Sequence, residues 1–359
     1  MPNFTQFINE TSTDSNNAVP VNNLEIYTTP LKVLLVVINL IFNSLIIIII
    51  FFILKTKTFS NILFASNAIC DFMVGLISTP FMIVFTYYGY WPLGKETCVF
   101  WVINDYSTGT ISIYSYLSIA LHRYFQIISP YKANENMNRS RLLKILAIWA
   151  FWYSYWLISV ILITSKDFVP EYCYFTHTFP YVLATVLIGF ILPIVAVFFI
   201  NLLVLYELRK NLKTKKRKGL TTATTTQTKT TEVKAGAEEQ SHSDTATATN
   251  IGTGATNENG NISNKLVSKK SKDFFKKETK AFICLCMVTG SLAILFSIFC
   301  VSWPIKAYCP GCVPDLLLEI SYWNTYIYSA VNPILLFIFH DKFRMELKKL
   351  VLKLICCKK

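Results

Sequence analysis

The chain has 359 residues, 53% of them hydrophobic with 27 Phe and 19 Tyr, and a formal net charge of +13. That apolar and aromatic load is too high for a soluble domain and fits a bundle of helices in a bilayer. The positive charge is gathered in a few short segments between apolar stretches, so nucleic acid is not the partner it points to.

Residues 1–28 read as a polar N-terminal tail. The tail lacks a charged start followed by an apolar core, so no cleavable signal is expected and the first span acts as the targeting signal. It holds two sequons, Asn3-Phe4-Thr5 and Asn9-Glu10-Thr11, which are expected to be glycosylated if this end lies outside. Seven apolar stretches follow, near Leu31–Leu54, Ser60–Tyr87, Cys98–Ile128, Leu142–Thr164, Phe179–Leu205, Ala281–Pro304 and Asp315–Phe339. Each approaches or exceeds the roughly 20 residues a helix needs to cross the hydrocarbon core. Lipid offers no partner for a bare backbone donor, so these spans must be helices, and runs such as LIIIIIFFIL do not alternate as barrel strands do.

The basic residues set the orientation. Lys55 and Lys57 follow the first span, and Lys132, Arg139, Arg141 and Lys144 follow or open the next inner turn. KTKKRK at 213–218 and KKSKDFFKK at 269–277 flank the longest loop, whereas the opposite loops carry only Lys95, Lys166 and Lys306. The N-terminus is therefore expected outside and the C-terminus inside. On that topology the sequons at Asn138 and Asn261 fall inside and should stay bare.

The cysteines divide by compartment. Cys98 and Cys173 lie on the outer side, where a disulfide can form, and so do Cys309 and Cys312 in CPGC around a tight Pro-Gly turn. Residues 211–275 are rich in Thr, Ala, Gly, Asn and charge, with little to bury, and are expected to be disordered. Such a loop serves as a passive spacer or as a phosphorylated regulatory segment. The last segment, 341–359, places Phe343, Leu347, Leu350, Val351 and Leu354 on one helical face and lysines on the other, as a helix lying on the inner leaflet does. Acylation at Cys356 or Cys357 would hold it there.

Two acids stand deep within apolar spans, away from their ends: Asp71 in the second and Asp105 in the third. An ionisable side chain at the bilayer centre costs roughly 2.5–3.5 kcal/mol, so each marks a functional position. Asp105 is a lone carboxylate eighteen residues before Arg123 of His122-Arg123-Tyr124, and it reads as the counter-ion of a cationic ligand. Its bland alternative is a carboxylate facing a wet cavity.

These features, with Asn43, Asp71 in ASNAICDF, Cys98, Ser112, His122-Arg123-Tyr124, Trp149, Pro193, Asn332-Pro333 and Phe343-Arg344 in order, resemble a rhodopsin-like G-protein-coupled receptor. The resemblance implies an all-α membrane fold of seven transmembrane helices over residues 29–340. Within that family the chain is similar to the aminergic branch, and GKETCVFWVINDY and DFMVGLISTPF look most like histamine receptors. The branch holds a protonated amine with the aspartate that Asp105 matches, seven residues after Cys98. Tyr326 matches its partner tyrosine on the seventh helix, with Trp323 three residues earlier, and Phe190 matches an aromatic on the fifth helix. Cys309 and Cys312 suit the branch's small disulfide. Tyr106, Tyr322, Trp323, Phe299 and Trp303 could add cation–π contact, or simply pack helices. Thr185 and Gly189 stand where amine receptors set selectivity; Gly189 offers no acid or amide, which counts against histamine itself.

Asp71, Ser112 and Asn332 resemble the family's sodium site, with a hydrated polar plug as the alternative. The resemblance further implies a heterotrimeric G protein as partner at Arg123, and arrestin and receptor kinases beside it. Several switch positions depart from the pattern. His122 replaces the acid before Arg123, Asn201 and Leu336 replace tyrosines, Phe296 replaces a tryptophan and Ile298 a proline. That helix 6 register puts Glu278 where an acid can face Arg123; the alternative register makes Pro304 the kink. Two consequences stay open: signalling with a weakened resting lock, or binding with poor coupling. Scattered histidines and the absence of paired acids argue against an enzyme, and no inverted repeat argues for a transporter.

Overall fold

A computed structural model of the chain describes residues 23–54, 58–129, 138–169, 173–175, 178–211 and 257–356. The sequons at Asn3 and Asn9, Cys357, and residues 212–256 of the long loop lie outside the described residues, and so do the side chains of Glu278 and Cys356.

Each apolar stretch forms a helix. Helix α1 runs Asn23–Ile48 and continues as a π turn over Ile49–Ile53. Helix α2 spans Phe59–Tyr88 with a π turn at Val74–Ser78, α3 Gly94–Ile128, and α4 Arg139–Asp167. Helix α5 spans Phe179–Asn211 with a π turn at Leu187–Ile191, α6 Asn257–Tyr308, α7 Asp315–Phe339 and α8 Asp341–Cys356. Five of the helices are long and apolar enough to cross a membrane by composition alone; α3 and α7 have the length but carry more polar residues. Those two are also the helices with the most functional side chains.

Two boundaries differ from the sequence reading. The first helix begins at Asn23, inside the segment expected to be tail. The loop expected to be disordered over 211–275 enters α6 at Asn257, because its basic run KKSKDFFKK continues the helical register of the span that follows. Short antiparallel strands, β1 (Phe168–Val169) and β2 (Tyr174–Phe175), form the one sheet among the described residues.

Helix ends obey local chemistry. Thr58 caps α2 by accepting the Asn61 N–H at 3.3 Å, and Gly89, at φ 71°, ends it in a left-handed turn. Gly94, at φ 84°, opens α3, and its carbonyl accepts from the Trp91 indole at 2.7 Å. Trp91 stacks on Trp101 of α3 at 4.9 Å, fixing the turn to the bundle. Disulfides Cys98–Cys173 and Cys309–Cys312 lie at this same end.

The helices pack in ring order, α1 on α2, α2 on α3, α3 on α4, α5 on α6, α6 on α7, and α7 back on α1. Polarity is inverted relative to a soluble protein. Phe52 is 82% and Ile294 72% exposed, whereas Asp71 and Asn332 are 2% and 1% exposed. An apolar exterior around a polar seam is the arrangement lipid selects, since side chains that hydrogen-bond across helices hold a bundle with no hydrophobic drive between them. Asn43 of α1 illustrates it, donating to the Ser329 carbonyl of α7 at 3.2 Å and to Asn39 Oδ1 at 3.0 Å. Trp149 of α4 donates to Ser66 of α2 at 2.8 Å. At the opposite end Phe343 of α8 is fully buried, edge-on to Phe64 of α2 at 5.8 Å.

Replacing Asn43 by Ala removes the bridge to α7. The purified protein is expected to lose about 1–3 kcal/mol of stability, read as a lower thermal midpoint in detergent.

Candidate functional site

Near the disulfide end, α2, α3, α5, α6 and α7 line a partly open cavity. Its wall includes Asp105, Tyr106 and Gly109 of α3, Phe190 of α5, Phe296 and Phe299 of α6, and Tyr322, Thr325 and Tyr326 of α7. Asp105 is the only carboxylate among these residues. The Tyr326 hydroxyl, 2% exposed as a residue, donates to Asp105 Oδ2 at 3.3 Å. Beside it, Asn104 donates to Ser78 of α2 at 3.2 Å and accepts from Tyr153 of α4 at 3.3 Å, pinning this turn of α3. A carboxylate fixed in an apolar, aromatic enclosure is a site for a cation, because ion pairing offsets part of the cost of its burial.

The aromatic wall is ordered by stacking. Tyr106 lies between Trp156 of α4 at 4.6 Å and Trp303 of α6 at 5.4 Å, with its ring nearly parallel to both. Its hydroxyl pairs with the Tyr322 hydroxyl at 2.8 Å. Phe299 packs on Trp303 at 5.3 Å and on Tyr322 at 5.4 Å. Phe296 is the deeper aromatic of α6, meeting Phe190 at 5.9 Å and Tyr328 edge-on at 5.7 Å. Helix α6 runs unbroken through Ile298, and Pro304 falls near its end.

Three residues expected at the ligand lie elsewhere. Thr185 is buried against α4, its hydroxyl 2.7 Å from that of Tyr155. Gly189 faces α3 and α4: a Cβ there would lie 3.4 Å from Thr110 and 3.9 Å from Trp152. Trp323 is drawn toward α1, with Lys32 Nζ 4.5 Å above its ring and its indole N–H on Glu319 at 3.0 Å. It meets the cavity only through Tyr326, edge-on at 5.6 Å. The sequence reading had not singled out Val74, Gly109, Thr325 and Ser329 of the wall. Helical spacing from Asp105 gives Gly109, and spacing from Tyr322 and Tyr326 gives Thr325 and Ser329.

Below the cavity, Asn332 donates to Asp71 Oδ2 at 2.6 Å and accepts from the Tyr116 hydroxyl at 2.6 Å. Ser112 is buried on the adjoining turn of α3, beside Cys70. Ser329 also hydrogen-bonds the Asp71 carboxylate, so the oxygens of Asp71, Ser112, Ser329 and Asn332 belong to one buried polar cluster.

At the far end, Arg123, Thr58, Asn61, Gln126, Lys280, His340, Asp341 and Lys342 line a second, partly open cavity. Arg123 is 9% exposed. His122 turns to α2, edge-on to Phe59 at 5.0 Å, and Tyr124 is half-buried beside Phe125. Lys280 of α6 pairs with Asp341 of α8 at 2.8 Å, and Arg344 pairs with the same carboxylate. The Lys280 hydrogen bond is the main cause holding the Asp341 carboxyl below its ordinary value.

A family model described as 7 transmembrane receptor (rhodopsin family) matches residues 42–336. Among curated proteins, the Histamine H4 receptor of Homo sapiens is 26% identical over 338 residues, covering 84% of each chain. The Octopamine receptor beta-2R of Chilo suppressalis is 24% identical over 346 residues, 92% of this chain and 81% of that one. A muscarinic acetylcholine receptor of Drosophila melanogaster is 33% identical over 168 residues, but those cover 44% of this chain and only 21% of its own length.

Since Thr185 serves the α4–α5 contact, Thr185→Val is expected to lower thermal stability by about 1 kcal/mol. The same substitution should leave the affinity of the Asp105 cavity within about twofold, since surroundings it does not touch are additive. Thermal unfolding and ligand titration on one preparation read both.

Proposed function

The chain belongs to the rhodopsin family of seven-transmembrane receptors, and from that premise we propose that it is a receptor for a small cationic amine, coupled to a heterotrimeric G protein. The observation that carries this reading is Asp105, one carboxylate in an aromatic cavity, with the Tyr326 hydroxyl 3.3 Å from it. The relatives named for histamine and octopamine support the amine class. The ammonium sits against Asp105, Tyr326 orients the carboxylate, and the faces of Tyr106, Tyr322 and Phe299 surround the charge, each such contact contributing about 0.5–2 kcal/mol.

The family membership carries G-protein coupling, and the basic loops support a plasma-membrane topology with the disulfide end outside and Arg123 inside. In that topology the second cavity receives the G protein, with Arg123 at its wall, and Glu278 lies on α6 two residues before Lys280 of that wall. Arrestin and receptor kinases share that face. Glycans at Asn3 and Asn9, acyl chains at Cys356 or Cys357, and an allosteric sodium ion at Asp71 complete the reading.

The altered switches favour signalling with a shifted resting bias over a silent receptor. His122 cannot restrain Arg123 as an acid does, but Lys280–Asp341 ties α6 to α8 across the same cavity. A restraint has moved rather than vanished.

In cells expressing the chain, G-protein activation by histamine, octopamine, dopamine and acetylcholine tests the amine reading. Asp105→Asn is expected to weaken the effective amine about 10- to 100-fold, the worth of a charge-assisted bond. A response equal in the mutant, or none to any amine, counts against it. Lys280→Ala is expected to raise ligand-independent signalling about twofold or more at equal surface expression, since it removes a bond made only in the tied state.

A further inference from the structure

Lys32 stands in the outer turn of α1, in a region the amine reading leaves unused. Its side chain is only 10% exposed, although the neighbouring Leu31 and Val33 are open to the surroundings. The ammonium lies 3.6 Å from Glu319 of α7, 3.3 Å from Thr86 Oγ1 of α2, and 4.5 Å above the Trp323 ring. Glu319 in turn accepts from the Trp323 indole at 3.0 Å. One lysine and one glutamate therefore hold both the face and the N–H of Trp323.

Trp323 is the wall behind Tyr326, edge-on at 5.6 Å and 78°. The Tyr326 hydroxyl reaches Asp105 at 3.3 Å, longer than the usual O–H···O distance of about 2.7–2.8 Å. A bond that long does not fix its own donor; the ring's packing does. One side of the tyrosine that orients the carboxylate is thus held by Trp323, with Trp101 also against it, and Trp323 is held by the Lys32–Glu319 pair.

We infer that Lys32 and Glu319 are positioning residues for the amine site, acting through Trp323 and Tyr326 on Asp105. The inference rests on the amine reading of Asp105. It has a sign that separates it from simple electrostatics. Lys32 is a cation in the same half of the bundle as the ligand's ammonium, so by charge alone its removal strengthens amine binding. A positioning role requires the opposite, because loss of the ammonium frees Trp323 and lets Tyr326 drift from Asp105.

The test uses the full-length receptor in cells, with whichever of histamine, octopamine, dopamine and acetylcholine activates the wild type most strongly as probe. Lys32→Met keeps the aliphatic stem over Trp323 and removes the charge. The amine's Kd is expected to rise about fivefold, with ligand-independent signal and surface expression unchanged. Lys32→Arg, which keeps the charge and stacks on an indole, is expected to restore wild-type affinity. In the Tyr326→Phe background Lys32→Met should change little, because the hydroxyl it positions is gone. Should Lys32→Met fail to reach the surface, Lys32→Gln, which also removes the charge, carries the test with a loss of the same sign.

Tighter or unchanged amine binding in the neutral Lys32 variant overturns the inference. So does a loss that is just as large in Tyr326→Phe, which marks a role in packing alone. A wild type that answers no amine, or answers one equally in Asp105→Asn, removes the amine reading itself and this inference with it. Loss of binding in Asp105→Asn together with normal binding in Lys32→Met removes only the inference.

Discussion

Asn332 of α7 joins three helices through one side chain. Its amide donates to Asp71 of α2 and its carbonyl accepts from Tyr116 of α3, both at 2.6 Å. One turn earlier, the Ser329 carbonyl accepts from Asn43 of α1. In lipid the apolar surfaces of helices gain nothing by leaving the solvent, so such bonds and close packing decide where helices sit. This seam fixes α7 against α1, α2 and α3. Because Tyr322 and Tyr326 sit on α7 and Asp105 on α3, it also sets the distance across which the Tyr326 hydroxyl meets the carboxylate. The cavity is a consequence of the seam beneath it.

The two ends of the bundle are built from different forces. The disulfide end is aromatic: Trp156, Tyr106 and Trp303 form a continuous stack from α4 through α3 to α6, and Trp91 stacks on Trp101 beside it. Stacked rings are rigid and amphipathic, and they enclose a charge without competing for its hydrogen bonds. The Arg123 end is ionic. Lys280, Asp341 and Arg344 meet where side chains are half-exposed, so each contact is individually weak and readily exchanged. A site that must hold a ligand and a site that must change partners have opposite requirements, and the chain meets each with the matching chemistry.

The spans were legible because lipid demands long apolar helices, and all seven stretches are helical. Asp105 was legible because a lone acid in such a helix has few innocent explanations, and the family pattern supplied Tyr326. Thr185 and Gly189 were placed by resemblance, and which neighbour each meets was not legible in the sequence. Gly189 lies within a π turn over Leu187–Ile191 and Thr185 just before it, where the backbone departs from regular helical spacing. The contact of Trp323 with Lys32 was not legible because the two lie nearly three hundred residues apart in sequence. Tyr116 escaped notice because a tyrosine in an apolar helix looks like packing until its hydroxyl is seen on Asn332.

Seen through those contacts, the missing switch residues change meaning. Leu336 cannot offer a hydroxyl near the end of α7, yet Tyr116 and Tyr328 place two fully buried tyrosines one to two turns above it. Tyr328 touches Phe296 of the cavity wall, and Tyr116 holds Asn332 on Asp71. Asn201, standing for another tyrosine, reaches Thr289 of α6 at 3.5 Å and so still ties α5 to α6 with a polar contact. Coupling between two sites needs elements whose arrangement both sites bias, whichever side chains they are made of. Here the aromatic contact from the cavity and the polar seam below it meet at two neighbouring tyrosines. A change of α6 at Phe296 therefore bears on the side chains that hold α7 in place.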